Sequence, residues 1–181
     1  GLTKLNENHQ LVSTFPNAKI FVNDIEWYEM MNPNNRTKGT YLRENWEPIQ
    51  HQVETFTEYL NVIPEIQMVH TGGHSNGHSI ILLKQGNETM IHMADLLLTH
   101  AHRKPVWVAA VDDYPMRSII AKEKWLKEAF ENHYKFFFYH DQFFAVAEFD
   151  QTGEEFVDYV TRIREPRVPF TDKQDRKPSF L

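Results

Sequence analysis

Apolar residues recur along this chain with two periods, and the switch between them marks out the elements. Short β-rich runs predict strands at residues 18–22, 66–69, 80–83 and 90–93, the last two joined by a turn at Gln85-Gly86-Asn87. Asn23 or Asp24 can cap a helix through Trp27, Tyr28, Met30 and Met31 that stops at Asn32-Pro33. Between residues 39 and 60, Tyr41, Leu42, Trp46, Ile49, Val53, Phe56 and Leu60 are spaced for one or two further helices. Ile119, Ile120, Trp125, Leu126 and Phe130 predict an amphipathic helix over 116–134. The run 135–139 has the length and uniform apolarity of a buried strand, and 143–149 reads as another. Thr152-Gly153 opens an expected final helix to about residue 164, and a proline-bearing, charged arm follows over 166–181. The first dozen residues carry little signal.

Composition narrows the class. The 181 residues are 41% hydrophobic and 24% charged, which fits one folded domain and excludes a disordered or collagen-like chain. A net charge of −6 with no basic block argues against nucleic acid as a partner. Apolar runs fall far short of the ~20 residues of a membrane span, so the chain is expected to be a soluble, cytoplasmic protein with no membrane partner. The absence of cysteine fits a reducing compartment and leaves any metal to His, Asp or Glu.

The ten histidines are unevenly placed. His70, His74 and His78 lie in a glycine-punctuated loop, Thr71-Gly72-Gly73-His74-Ser75-Asn76-Gly77-His78-Ser79, between two expected strands. Such histidines can simply be satisfied by backbone hydrogen bonds, but clustered imidazoles beside flexible backbone also suit a metal. The strand 90–93 delivers Asp95 near its end, and the strand 135–139 delivers His140 and Asp141. Asp95 alone could be a cap and the aromatics Trp27, Tyr28, Tyr41, Trp46 and Trp107 alone could be core.

Taken in order, T-G-G-H-S-x-G-H-S, a strand-ending Asp and Y-H-D resemble the second half of the metallo-β-lactamase superfamily. The segment Asp95-Leu96-Leu97-Leu98-Thr99-His100-Ala101-His102 with Pro105-x-Trp107 and Asp112-x-Tyr114-Pro115, and the stretch from Asn35-Arg36-Thr37-Lys38 to Asn45-Trp46, are similar to its quorum-quenching lactonases, bacillar branch, and methyl parathion hydrolase-like enzymes. The resemblance implies an α/β (α+β) fold, a four-layer αββα sandwich occupying residues 1–165, with a helical insertion at about 24–63. It implies His74, Asp95 and His140 as metal ligands, Asp95 being the catalytic, bridging carboxylate, with His78 and Asp141 behind them. It implies two divalent ions, zinc first and manganese, iron or cobalt as alternatives. Trp27, Tyr41, Trp46, His102 and Trp107 are the expected substrate pocket.

The superfamily's H-x-H-x-D-H motif is absent. In relatives a Gly-Leu segment soon follows it, and this chain opens Gly1-Leu2-Thr3, so the sequence is expected to start just after that motif and to be N-terminally incomplete. Thr99-His100-Ala101-His102 imitates its beginning, but Arg103-Lys104 stand where Asp-His is required, so it is read as a decoy. The expected activity is opening of N-acyl-homoserine lactones by a metal-bridging hydroxide, the 181 residues being inactive alone. A phosphotriester hydrolase and a non-catalytic ligand- or protein-binding domain are the alternatives, a small molecule the expected partner, and homo-oligomerisation is left open.

Overall fold

The structure is a computed structural model that describes residues 1–162. Strands β1 (Thr3–Leu5) and β2 (Leu11–Ser13) form an antiparallel hairpin, the element that the first dozen residues did not announce. Strand β3 (Ile20–Asn23) leads directly into helix α1 (Asp24–Met31). Asn23 is the N-cap, its side chain accepting from the Ile25 amide while its Nδ2 donates to the Phe56 and Thr57 carbonyls. Helix α2 (Arg43–Trp46) runs into a 3₁₀ turn (Glu47–Gln52).

The expected helical insertion ends there. Residues 53–63 are strands: β4 (Val53–Phe56) pairs in parallel with β3, and β5 (Tyr59–Ile63) pairs with β6 (Ile66–His70). Strands β7 (Ser79–Gln85), β8 (Glu88–His92), β9 (Lys135–Phe137), β10 (Phe144–Phe149) and β11 (Phe156–Thr161) complete a seven-stranded sheet of order β11-β10-β9-β8-β7-β6-β5. Only β8 and β9 run parallel in that sheet, which requires a long crossover between them. Its helix is α3 (Pro115–Glu131), opened by a proline at its first turn.

β11 corrects the expected final helix. Asp150 accepts from the Thr152 hydroxyl and from the Glu154 and Glu155 amides, so this segment folds as a turn rather than a helix start. Phe156, Val157, Tyr159 and Val160 then pair with β10 as aromatic and β-branched residues favour. The expected arm at 166–181 lies outside the described residues.

Ser118, Ala121, Lys122, Trp125, Leu126 and Ala129 of α3 are buried at helical spacing. They pack on one face of the sheet with Ile80, Leu82, Ile91, Phe136, Ala147 and Phe149 as the core. The opposite face is apolar too: paired registers align Leu60, Met68, Ile81, His92, Phe137, Val146 and Val160 across the sheet. These seven are half-buried or exposed, none buried. No helix of the described residues is long and apolar enough to cross a membrane.

Candidate functional site

The loop after β6 is held by backbone before any side chain is considered. The Thr71 and Gly72 amides both donate to the His78 carbonyl, closing the loop on itself. Gly73, at φ +106°, packs on the first turn of α3, where a Cβ would come within 2.9 Å of three atoms of Ser118. The Gly73 and His74 carbonyls accept from the Tyr114 and Asp113 amides. On the other side Glu26 of α1 accepts from the Ser75 hydroxyl and the Gly77 amide, and Tyr41 donates to its second oxygen at 2.5 Å. His74 is therefore presented by a clamped segment, not a free loop.

Its imidazole points one nitrogen to each of two carboxylates. Nδ1 lies 2.9 Å from Oδ1 of Asp112, whose side chain is 1% exposed, and Nε2 lies 3.3 Å from Oδ2 of Asp95. Asp95 sits just past β8 in a 3₁₀ turn (Ala94–Leu97), its amide donating to Nε2 of His78. Nε2 of His78 is thus an acceptor, leaving Nδ1–H to donate to the Thr71 hydroxyl at 2.8 Å. Burial, then the neighbouring His74, lower the His78 pKa to about 4, which keeps the ring neutral. Beyond β9, Nε2 of His140 lies 3.3 Å from Oδ1 of Asp95, and the Tyr139 phenol donates to that same oxygen. Burial, then the Asp95 hydrogen bond, raise the Tyr139 pKa, so the phenol stays a donor.

His74, Asp95 and His140, drawn from three strand ends, are thus brought together. Each imidazole faces a different oxygen of one carboxylate. Donors bound at about 2.0–2.1 Å around a tetrahedral zinc lie about 3.3–3.4 Å from each other, the separation of each pair here. Nitrogen and carboxylate donors without thiolate also suit zinc, manganese, iron or cobalt. The arrangement is two donor pairs sharing Asp95; no group of three or more His, Asp or Glu side chains that could hold a metal ion occurs among the described residues.

The other expected residues divide. Tyr41 lines a cleft of about 560 Å³ together with His74, His78, Asp95, Glu26 and Arg36. Trp27, Trp46, His102 and Trp107 do not line it. Trp27 and Trp46 pack edge to face at 5.9 Å, His102 pairs with the Thr99 hydroxyl, and Trp107 is half-exposed beside Lys104. Asp141 turns away from the three donors: it accepts from the His100, Phe143 and Phe144 amides and pairs with the His100 ring at 2.6 Å. Asp112 and Tyr139, which enter the sequence reading only within Asp112-x-Tyr114-Pro115 and the strand run ending in Y-H-D, are the groups whose roles sequence reasoning missed; their partners are 38 and 44 positions away.

Neither a family model nor a curated protein matches the chain. Among solved structures, a probable metal-dependent hydrolase from Staphylococcus aureus is 36% identical with a TM-score of 0.82, covering 85% of this chain and 56% of its own. AbOPH, a hydrolase in the β-lactamase superfamily, is 18% identical with a TM-score of 0.71, covering 92% of this chain and 60% of its own. AidC, a dizinc quorum-quenching lactonase solved with the product N-hexanoyl-L-homoserine, is 18% identical with a TM-score of 0.65, covering 90% of this chain and 60% of its own. The fold is metallo-β-lactamase-like. The seven-stranded sheet backed by α3 stands as one helix and one strand layer of it. The chain spans 56–60% of the length of these three structures.

Proposed function

We propose that this chain is the second half of a metal-dependent hydrolase that opens the lactone ring of N-acyl-homoserine lactones in the cytoplasm. The observation that carries the proposal is the placement of His74 Nε2 and His140 Nε2 on opposite oxygens of Asp95. A carboxylate gripped in this way suits a bridge between two cations, zinc being our first choice. A bound pair of divalent ions supplies an activated water and a polarised carbonyl. The residues of this chain do the positioning: Asp112 orients His74, His78 holds the Asp95 backbone, and the clamp on Glu26 fixes the loop between them. The cleft beside Asp95 carries Phe21, Val22, Met68 and Val111 as apolar wall and Tyr41, Glu26 and Arg36 as polar groups, a mixture suited to an acylated lactone.

Two donors per cation fall short of the three protein ligands of a catalytic zinc. We assign the missing donors to an H-x-H-x-D-H segment, which these 181 residues do not contain. The half-buried apolar face of the sheet supports the same assignment, since a second strand layer there would cover it. The test compares zinc content and lactone ring opening of the 181-residue chain with those of a longer chain that includes such a segment. The longer chain is expected to turn over lactone, and Asp95→Asn in it to lower the rate by more than about 100-fold with the fold retained. Metal-dependent turnover by the 181 residues alone, or an inert longer chain with zinc bound, refutes the proposal.

A further inference from the structure

The two halves of the donor arrangement are braced differently. On the His74 side the ring is tied by Nδ1 to buried Asp112. On the other side the His140 side chain is 50% exposed, with its ring nitrogen facing Asp95 and its ring beside that of Tyr139. Tyr139 touches both: its phenol donates to Asp95 Oδ1, and its ring lies 4.0 Å from the His140 ring at 40°. It is itself buttressed by His92, whose ring meets it edge-on at 5.1 Å and whose Nδ1–H donates to the Phe137 carbonyl.

This geometry goes with a β9 that ends at Phe137, its last backbone bond to β10 coming from the Phe138 amide to the Ala145 carbonyl, rather than running to residue 139. Consecutive residues of a strand point to opposite faces, so Tyr139 and His140 can both reach Asp95 only if the ladder ends before them. It also meets a need of the site. The terminal torsion of an Asp side chain is broad, and a carboxylate that must show one oxygen to His74 and the other to His140 has to be fixed in its plane.

We infer that Tyr139 is the positioning residue of the Asp95–His140 pair, its hydroxyl holding the carboxylate plane and its ring holding the imidazole. The inference rests on the metal-centre reading above. Outer partners of ligating groups are worth roughly 10–100-fold in metal affinity, so Tyr139 belongs to the metal-binding machinery although it donates nothing to the ion.

The test titrates the 181-residue chain with cobalt(II) alone, as wild type, Tyr139→Phe and Tyr139→Leu, with the exposed Tyr28→Phe as control. Wild type is expected to bind cobalt weakly. Tyr139→Phe keeps the ring and is expected to weaken binding about 10-fold and to change the visible absorption of the bound cobalt. Tyr139→Leu loses ring and hydroxyl and is expected to weaken it further, while the far-UV circular dichroism spectra of Tyr139→Phe and wild type coincide. In the metal-free chain, Tyr139→Phe is expected to move the His140 ring resonances and leave those of His74 in place. Tyr139→Phe with wild-type cobalt affinity, spectrum and His140 resonances overturns this inference alone. Where the wild-type chain binds no cobalt, the metal-free His140 resonances decide the inference, unmoved resonances in Tyr139→Phe overturning it, and the metal reading stands or falls separately with zinc binding by the longer chain.

Discussion

Gly77→Ala puts the clamp on the His74 loop to a direct test. Gly77 is not among the positive-φ glycines, so alanine has no backbone penalty there and would ordinarily stabilise by about 0.4–1 kcal/mol through the unfolded chain. Its Cβ, however, would lie 2.3 Å from the Glu26 amide nitrogen, 2.4 Å from Glu26 Cβ and 2.6 Å from its Cα. Ordinary contact is about 3.5–4.0 Å, so loop and helix must part by roughly 1 Å. α1 cannot easily be the partner that moves, because Asn23 pins its start to the Phe56 and Thr57 carbonyls. The loop moves instead, and the Ser75 and Gly77 bonds to Glu26, now 2.6 and 3.2 Å, are lost or badly stretched. Each bond to a carboxylate contributes about 1.5–3 kcal/mol, so the net loss is about 3 kcal/mol after the entropic gain. At a urea slope of about 2 kcal/mol/M the midpoint falls by about 1.5 M. Fluorescence of Trp27 and Trp46 together with far-UV circular dichroism reads the transition, and Gly39→Ala, with nothing within 4 Å of its Cβ, is the control. A Gly77→Ala midpoint equal to or above wild type refutes the clamp.

Two further outcomes follow from buried polar groups. The ordinary His78 pKa of 6.5 drops to about 4 in the folded chain, so between those values the unfolded state binds more protons; stability rises with pH across this window, and lowering the pH from 6.5 to 4 removes about 3 kcal/mol. Urea midpoints at several pH values are expected to show this loss in wild type and a flatter profile in His78→Gln, and equal slopes count against it. The Lys122 ammonium is fully buried and donates to the carbonyls of His102, Lys104 and Trp107 at 2.6, 3.0 and 2.6 Å. Lys122→Met strands three acceptors at once and is expected to cost about 3–4 kcal/mol, seen as a fall of about 10 °C in melting temperature; a Tm within about 2 °C of wild type shows the carbonyls find other donors.

What the sequence reveals of this fold depends on how far apart cause and effect lie along the chain. The helix α3 is legible because Trp125, Leu126 and their neighbours repeat at helical spacing within one segment. Strands β7 and β8 are legible because Gly86, at φ +60°, marks the turn between two β-rich runs. Val53, Phe56 and Leu60 are spaced equally well for a helix, and their strand state is decided elsewhere, by pairing with β3 and β6. The candidate site divides in the same way. His74, Asp95 and His140 each follow an apolar run and belong to local motifs, so they stand out in sequence. Asp112 gains its role only when the crossover through α3 brings it to His74, and Tyr139 only when β9 is laid beside β8.

The open side of the donors and the open side of the sheet are connected by contacts. The stripe Met68, Ile81, His92 and Phe137 crosses the face that α3 does not cover. His92 stacks on Phe137 at 4.5 Å, and its edge supports Tyr139, which reaches Asp95. A strand layer laid on that stripe would bury the face, restrict His92 and thereby tighten the Tyr139 contact to Asp95. If, as proposed above, the same layer brings further imidazoles and a carboxylate, core completion and metal binding become one event rather than two. The two measurements should then move together: additions that strengthen zinc binding should also raise the urea midpoint, by more than the metal alone can contribute at its measured affinity.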